Sequence, residues 1–426
     1  MEIDLFHPPC SDDTAHTSLY ETYHNNEIAS VDDANQFIFN IPPSTHWRNF
    51  AGSYFKIHLR LVKADDAVLA DGDKVSTVNQ IALSLFKNFT IYINDAKVTS
   101  HEDHPYTAYI ENQWSYSKEV SETWPVLAGW EGDKHGHFDD MDDTNPGFKA
   151  RRNRLNKDRV TVVECQPKIF PFCTNQIFPP DLKWRIEADR TSDRFLLLAD
   201  PAAPASKLKI EKISLVLENV ILKKTVESQL FAKIGRIGAQ YDYPMVKFQS
   251  YFIPSGRSNY ELPHHNLLFP HMPSTLLMAL VEQDVFLGEL DKNPFRFQAH
   301  GVTEYCIKVN GQFLFTSGAL KVDFDTGDYG TRYKSVLSML GYWGSDKAPA
   351  VTYNAFDNGN VLFPADIAKK FPETINSENS AQELSIKFTF KAPTPKNLKL
   401  LIYPTYKNAA MVHGSESNRE VSMMYY

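Results

Sequence analysis

At 426 residues the chain is longer than one hydrophobic core usually grows, which predicts two large domains. Its 42% hydrophobic and 13% aromatic content excludes a disordered chain, and 23% charged residues is ordinary for a globular protein. The formal charge of −8, from 44 basic and 52 acidic residues, repels a phosphate backbone and argues against specific nucleic-acid binding.

Residues 1–34 are polar, with Leu19, Tyr20 and Tyr23 as anchors, and are expected to form an arm that grips a neighbour. A first jelly roll is expected over 35–226. Its strands begin at 36–41, and Phe55, Ile57, Leu59 and Leu61 then alternate with Lys56, His58 and Arg60, the pattern of a half-buried strand. Phe89, Ile91 and Ile93 alternate in the same way up to a turn at Asn94-Asp95, where both residue types tolerate positive φ. A short helical pattern follows in Tyr106, Tyr109, Ile110 and Trp114, with Pro105 suited to its first turn.

The insertion 117–159 is acidic over 131–143, turns basic from 149, and is expected to be a surface loop. Strands resume at 160–165, 184–188 and 208–222, and a change of phase between Ile210 and Ile213 predicts a bulge. Gly235 and Gly238 interrupt the pattern within 227–243, which is expected to be a connector.

The second jelly roll, expected over 244–408, repeats the first. Tyr305, Ile307 and Val309 lie 216 residues after Phe89, Ile91 and Ile93, and end in the turn Asn310-Gly311. A helical pattern in Tyr333, Val336, Leu337 and Leu340 follows again, with Thr331 as its cap, then a loop excursion over 344–379. Leu384, Ile386, Phe388 and Phe390 alternate, a last strand runs over 398–403, and 409–426 is expected to be a tail ending in Met423-Met424-Tyr425-Tyr426. With 25 prolines punctuating the runs, Pro42-Pro43, Pro179-Pro180 and Pro393-Thr394-Pro395 at run ends, and few long helical patterns, the chain reads as all-β with a few short helices, two jelly-roll sandwiches in tandem.

Cys10, Cys165, Cys173 and Cys306 are too few and too irregular for a disulfide framework, so reduced thiols are expected. The longest strongly apolar run, 275–281, falls short of the ~20 residues of a membrane span, and residues 1–10 lack a signal pattern, so folding in cytosol or nucleus is expected.

His135, His137, Asp139 and Asp140 form the best metal-like cluster, although their spacing matches no known site and a solvated loop is the simpler reading. Arg151, Arg152 and Arg154, within the basic segment, are expected at an interface, pairing with an acidic neighbour or the acidic loop, and Met423, Met424, Tyr425 and Tyr426 are expected to dock on a partner. Trp114, Tyr116, Trp124 and Trp130 could line a glycan groove, although core or interface packing is the commoner use. No Walker loop, nucleophile elbow or zinc motif occurs, so neither an enzyme nor a cofactor is expected.

The run 81–94, the segment His104-Pro105-Tyr106-Thr107-Ala108-Tyr109-Ile110-Glu111, the motif Asn293-Pro294-Phe295-Arg296-Phe297 and the hairpin 308–312 together resemble the major capsid proteins of Polinton (Maverick) elements and adintoviruses over nearly the whole chain. The residues that carry the resemblance are Asn94, Pro105, Tyr106, Tyr109, Asn293, Pro294, Phe295, Phe297, Asn310 and Gly311. Asn94-Asp95 departs from the family's usual Asn-Gly. The resemblance implies a double jelly roll, a homotrimeric and pseudo-hexameric capsomer in an icosahedral virion shell, and a separate penton protein, with minor capsid or cement proteins as further partners. The rival reading is a two-domain jelly-roll glycan-binding protein, glycosidase or amidase, of which the peptide N-glycosidases are an example.

Overall fold

The computed structural model describes residues 15–25, 31–155, 159–263, 267, 269, 271–375, 383–415 and 418–425. In chain order the first half contributes β1 (Ala15–His24), β2 (Gln36–Ile41), β3 (Trp47–Lys63), β4 (Val75–Thr77), β5 (Phe86–Ile93), β6 (Ala96–His101), β7 (Thr161–Cys165), β8 (Trp184–Arg190), β9 (Leu197–Ala199) and β10 (Ser206–Leu222). The second contributes β11 (Ala239–Val246), β12 (Gln249–Ile253), β13 (Asn259–Leu262), β14 (Thr275–Glu282), β15 (Val302–Val309), β16 (Gln312–Phe313), β17 (Leu320–Lys321), β18 (Phe363–Asp366), β19 (Leu384–Phe390), β20 (Leu398–Ser415) and β21 (Asn418–Tyr425).

Two antiparallel sheets face each other in each half. The first half pairs them as β1-β10-β3-β7 and β2-β8-β5-β6, with β4 and β9 as a short ribbon. In the second, β11 and β12 both lie on β20, giving β20-β14-β18 beyond them and β13-β19-β15-β16 opposite. Counted along eight principal strands, each half has the orders 1-8-3-6 and 2-7-4-5, the jelly-roll connection. The chain is therefore a double jelly roll.

Alternation explains the burial. Phe55, Ile57 and Leu59 on β3 are fully buried, as are Ile386 and Phe388 on β19, while the residues between them point outward. The phase change in β10 is a bulge: the register against β3 slips between Ile210 and Lys212, leaving Glu211 unpaired.

Three boundaries differ from expectation. The described part of the arm, Ala15–His24, is β1, the first jelly-roll strand, paired along β10 from Leu222 to Ser214. The connector expected over 227–243 is mostly the helix Lys224–Ile237, and β11, the first strand of the second half, already begins at Ala239. The tail 409–426 continues β20 to Ser415 and returns as β21.

The repeated turns are built alike. Asn94 and Asn310 have φ of 48° and 49°, and Asp95 and Gly311 follow at 68° and 75°. Asn94 donates its N–H to the Lys183 carbonyl and accepts the Lys183 N–H on Oδ1, both at 2.9 Å. Asn310 makes the same two bonds with Glu383, both at 2.8 Å. An asparagine thus supplies tolerance of positive φ and a side-chain acceptor together. Asn94→Ala and Asn310→Ala should each cost about 1–2 kcal/mol, the lost bond plus the left-handed strain. Urea denaturation checks this, and unchanged midpoints in both variants would show that the turns are not held in this way.

Candidate functional site

The two jelly rolls meet along a buried seam, and most of the resemblance-carrying residues lie in it. The helix His104–Ser115 begins after Asp103, whose φ is 48°, with Pro105 in the first turn where its missing N–H costs nothing. Ten of its residues are buried, so it is a core element with little polar face. Tyr106 lies parallel between Phe248, at 5.8 Å and 3°, and Phe286, at 5.6 Å and 6°, both from the second half. Tyr109 stacks on Phe295 at 4.2 Å and 4°, with Phe297 edge-on at 6.0 Å. Each such ring pair adds about 0.5–1.5 kcal/mol to the area buried.

Asn293 and buried Pro294 hold Phe295 in place. The Asn293 Oδ1 accepts the Phe295 N–H at 3.0 Å, its backbone N–H donates to Asp139 at 2.8 Å, and its Nδ2 donates to Asp133 at 3.2 Å. Phe297 exchanges backbone bonds with Gly359 and Val361, which ties this motif to the loop before β18. From the other side, Gln113 donates to Asn360 at 3.2 Å and Tyr403 donates to Glu111 at 2.9 Å.

Asp133 is the polar centre of the seam. Its Oδ1 accepts from Arg151 Nη2 at 2.8 Å and Asn145 Nδ2 at 3.0 Å, while Oδ2 takes Asn293. Arg151 spends its other donors on the carbonyls of Thr77 and Glu131, both at 2.9 Å. Both side chains of this ion pair are 1% exposed. Arg151, expected at an interface, is therefore inside its own chain: the helix Pro146–Leu155 points it inward with Phe148 and Leu155. Arg152 is paired with Asp143 at 2.9 Å, and Arg154 donates to the Val126 carbonyl at 2.6 Å. The basic segment folds onto the acidic loop beside it.

Two neutral histidines complete the seam. His101 bridges the Val246 carbonyl of β11, at 3.1 Å from Nδ1, and the Thr107 hydroxyl, at 3.0 Å from Nε2. His104 donates Nδ1–H to the Leu83 carbonyl at 3.1 Å, since Nε2 accepts the Lys168 N–H at 3.3 Å. Burial pushes His101 down to about 4 and His104 to about 3, the latter helped by His101 and Lys168. Burial also holds the Glu111 carboxyl above its usual range, against the pull of Lys168 and Tyr403.

The metal-like cluster is not assembled. His137 pairs with Asp140 at 2.6 Å, Asp139 is bonded to Arg296 and Asn293, and His135 faces Asn360 at 3.1 Å. Among the described residues no three His, Cys, Asp or Glu side chains form a metal-sized group. Trp114 and Trp130 are buried at 1% and 4%, whereas Tyr116 and Trp124 meet edge-on at 5.0 Å at the surface. For the C-terminal residues the backbone pairs Met423 with Ala410, Met424 with Ala409 and Tyr425 with Asn408; Tyr426 lies outside the described residues. Asp133, Asn145, His101 and Asn360 were not singled out in the sequence. The one signal for the Asp133 hub was Arg151, three residues after Phe148 and four before Leu155, on an apolar helix stripe.

The double jelly roll is the fold that comparisons with solved structures return. No protein-family model matches the chain. Uncharacterized protein F54H12.2 of Caenorhabditis elegans is 23% identical over 362 residues, which is 79% of this chain and 79% of that protein. Among solved structures, the Sputnik virophage structure by cryo-EM matches 99% of this chain and 91% of its own, with TM-score 0.68 and 11% identity. The mavirus major capsid protein matches 96% and 90%, with TM-score 0.61 and 13% identity. The PBCV-1 virus capsid chain matches 99% and 99%, with TM-score 0.57 and 11% identity. At such identities the likeness is one of fold, shared with double jelly-roll viral capsid proteins.

Proposed function

We propose that the chain is a major capsid protein of the Polinton and adintovirus kind, working as a homotrimeric capsomer. The carrying observation is two jelly rolls of one strand order, fused through a buried seam, in a chain whose fold matches capsid chains from end to end. Three copies of two similar sandwiches present six similar corners, so a threefold particle fits a hexagonal lattice position in an icosahedral shell. A rigid seam serves this, because a lattice requires both sandwiches to keep one relative orientation. A separate penton protein would fill the fivefold vertices, with minor capsid or cement proteins as further partners. We propose that the C-terminal Met423, Met424, Tyr425 and Tyr426 make contacts between subunits; the first three lie on β21.

Light scattering on the purified protein, with negative-stain imaging of the same peak, tests this. The chain is 48.6 kDa, so a trimer weighs about three times that, ~146 kDa, and should show a pseudo-hexagonal outline. A monomer at every concentration would refute the proposal.

A further inference from the structure

The seam treats the two halves unequally. Strand β14 is buried on both faces: Leu276, Met278 and Leu280 belong to the second core, while Leu277, Ala279 and Val281 join the core of the first half. In the first half β3 holds the same place in its sheet. Its inward side is buried, but Tyr54, Lys56, His58 and Arg60 on its outer side are only half-buried. Beside them Tyr20 of β1 and Val162 of β7 are 58% and 40% exposed, and Lys212 of β10 is exposed. Lys56 pairs with Glu164 at 3.2 Å and Arg60 with Glu211 at 3.5 Å, so this face tolerates water until it is covered.

In the second half the same outer face is covered by the first. His101, at the end of β6, bonds the Val246 carbonyl at 3.1 Å, and Phe170 and Phe178 stack on Tyr243 and Tyr241 of β11, both at 4.3 Å. Phe170 is the fifth residue after β7 and precedes Pro171; the fifth residue after β18 is Phe371, and it precedes Pro372. The internal repeat thus carries the same Phe-Pro step in both halves. The counterpart of β6 is β16. Phe371 is half-buried and Phe313 of β16 is 45% exposed, and the two lie together, since Lys370 donates to the Phe313 carbonyl at 2.8 Å. The second half therefore keeps a covering edge and the first half keeps the face such an edge covers, both exposed in the single chain. We propose that the outer face of β1-β10-β3-β7 takes β16 and the Phe371-Pro372 step of a second copy, so that the contact between chains repeats the seam inside each. The inference rests on the capsomer reading and gives it an interface. Such a contact is head to tail: each copy receives with its first half and covers with its second, and a ring closes when the last copy covers the first. Tyr20 on β1 is the ring offered to the incoming phenylalanines, as Tyr241 and Tyr243 on β11 are offered in the seam.

The test places the photoreactive p-benzoylphenylalanine at position 313 of the full chain and irradiates the purified assembly. A covalent dimer on a denaturing gel is expected, with the adduct mapped by mass spectrometry to β1, β3 or β10 of the other copy. Trimers that give no such dimer, or a dimer joined elsewhere, would overturn the interface and leave the capsomer reading standing. A monomer at every concentration overturns both. Two variants at exposed positions read the same contact without a probe. Tyr20→Glu sets a carboxylate directly opposite Glu218, and Phe313→Ser removes the exposed ring. Each should raise the concentration at which half the chains are assembled by about tenfold or more, the effect of losing an aromatic anchor, with the circular dichroism unchanged. Assembly as tight as the parent's in both variants would also overturn the interface.

Discussion

Asp133→Ala should lower the stability of the chain by about 3–5 kcal/mol, the range for removing one partner of a buried ion pair. The loss exceeds that of a surface pair because the remaining Arg151 side chain is 1% exposed and has no water to turn to. Asn145 Nδ2 also loses its Asp133 contact, and Asn293 Nδ2 keeps only a 3.5 Å approach to the Phe138 carbonyl. The double variant Asp133→Ala with Arg151→Met should recover much of the loss, since an apolar replacement of the whole pair leaves no stranded charge. Guanidinium denaturation of the three proteins measures both effects. A single variant within about 0.5 kcal/mol of the parent, the scale of an ordinary surface substitution, would mean that Arg151 escapes to solvent and the seam is looser than described.

The position of this pair decides what its loss does. Asp133 and Arg151 belong to the insertion of the first jelly roll, and Asn293 opens the motif that carries Phe295 and Phe297 into the second. Removing Asp133 therefore takes away the bond from Asn293, a contact between the sandwiches, together with the ion pair inside the first. If the capsomer is the trimer proposed above, trimer yield should fall in Asp133→Ala more steeply than the secondary-structure signal.

The β architecture was legible because its strands keep strict alternation with few exceptions, and the repeat because Asn94 and Asn310 meet the same backbone demand in both halves. What escaped has physical causes. Strand β1 reads as polar because its half-buried positions are Leu19, Glu21 and Tyr23, and the carboxylate in the middle hides the alternation. That carboxylate is satisfied by the Tyr23 hydroxyl at 2.6 Å, a contact between residues two apart that no composition reveals. The helix Lys224–Ile237 carries Gly235 near its end, which reads as a break. Yet no side chain or backbone crowds a Cβ placed there, and the real stop is Gly238 at φ 79°. The insertion 117–159 looked like a solvated charge run because charge pattern alone does not show that its acids and bases face each other across a helix. The seam was invisible as a site, since its partners are more than a hundred residues apart, as with Asn293 and Asp139.

Acid should weaken this protein through the same seam. His101 and His104 are neutral in the fold, pushed down to about 4 and about 3 from an ordinary value near 6.5. The unfolded chain takes up protons as pH falls below 6.5 while the folded chain refuses them. The stability these groups contribute is therefore full above about pH 6.5 and is lost progressively as pH falls toward 4 and then 3. At pH 5 the loss is about 2 kcal/mol for each histidine, from the 1.36 kcal/mol carried by each pH unit. The geometry explains the refusal. The Lys168 N–H donates to His104 Nε2, so a proton there would set donor against donor, and the neighbouring charges that act on His104 are His101 and the Lys168 ammonium. His101 can take a proton more easily, because the Thr107 hydroxyl can turn to accept, but it would then face His104 with ring centroids 5.8 Å apart. Asp103 and Glu111, both raised by burial, act in the opposite sense and are relieved as pH falls, while His300, pushed down to about 4, adds to the loss. These three contribute to parent and variant alike, so the informative quantity is the difference between them. The double variant His101→Gln and His104→Gln keeps a donor and an acceptor at each position without a titrating ring. It should lose less stability than the parent between pH 7 and pH 5, by up to about 4 kcal/mol, even if its packing makes it less stable at pH 7. Parallel pH profiles for the two proteins would show that the histidine pair is not what acid attacks. A flattened profile would locate the acid-sensitive point of the molecule at the buried His101–His104 pair, whose first member bonds the Val246 carbonyl of the second jelly roll.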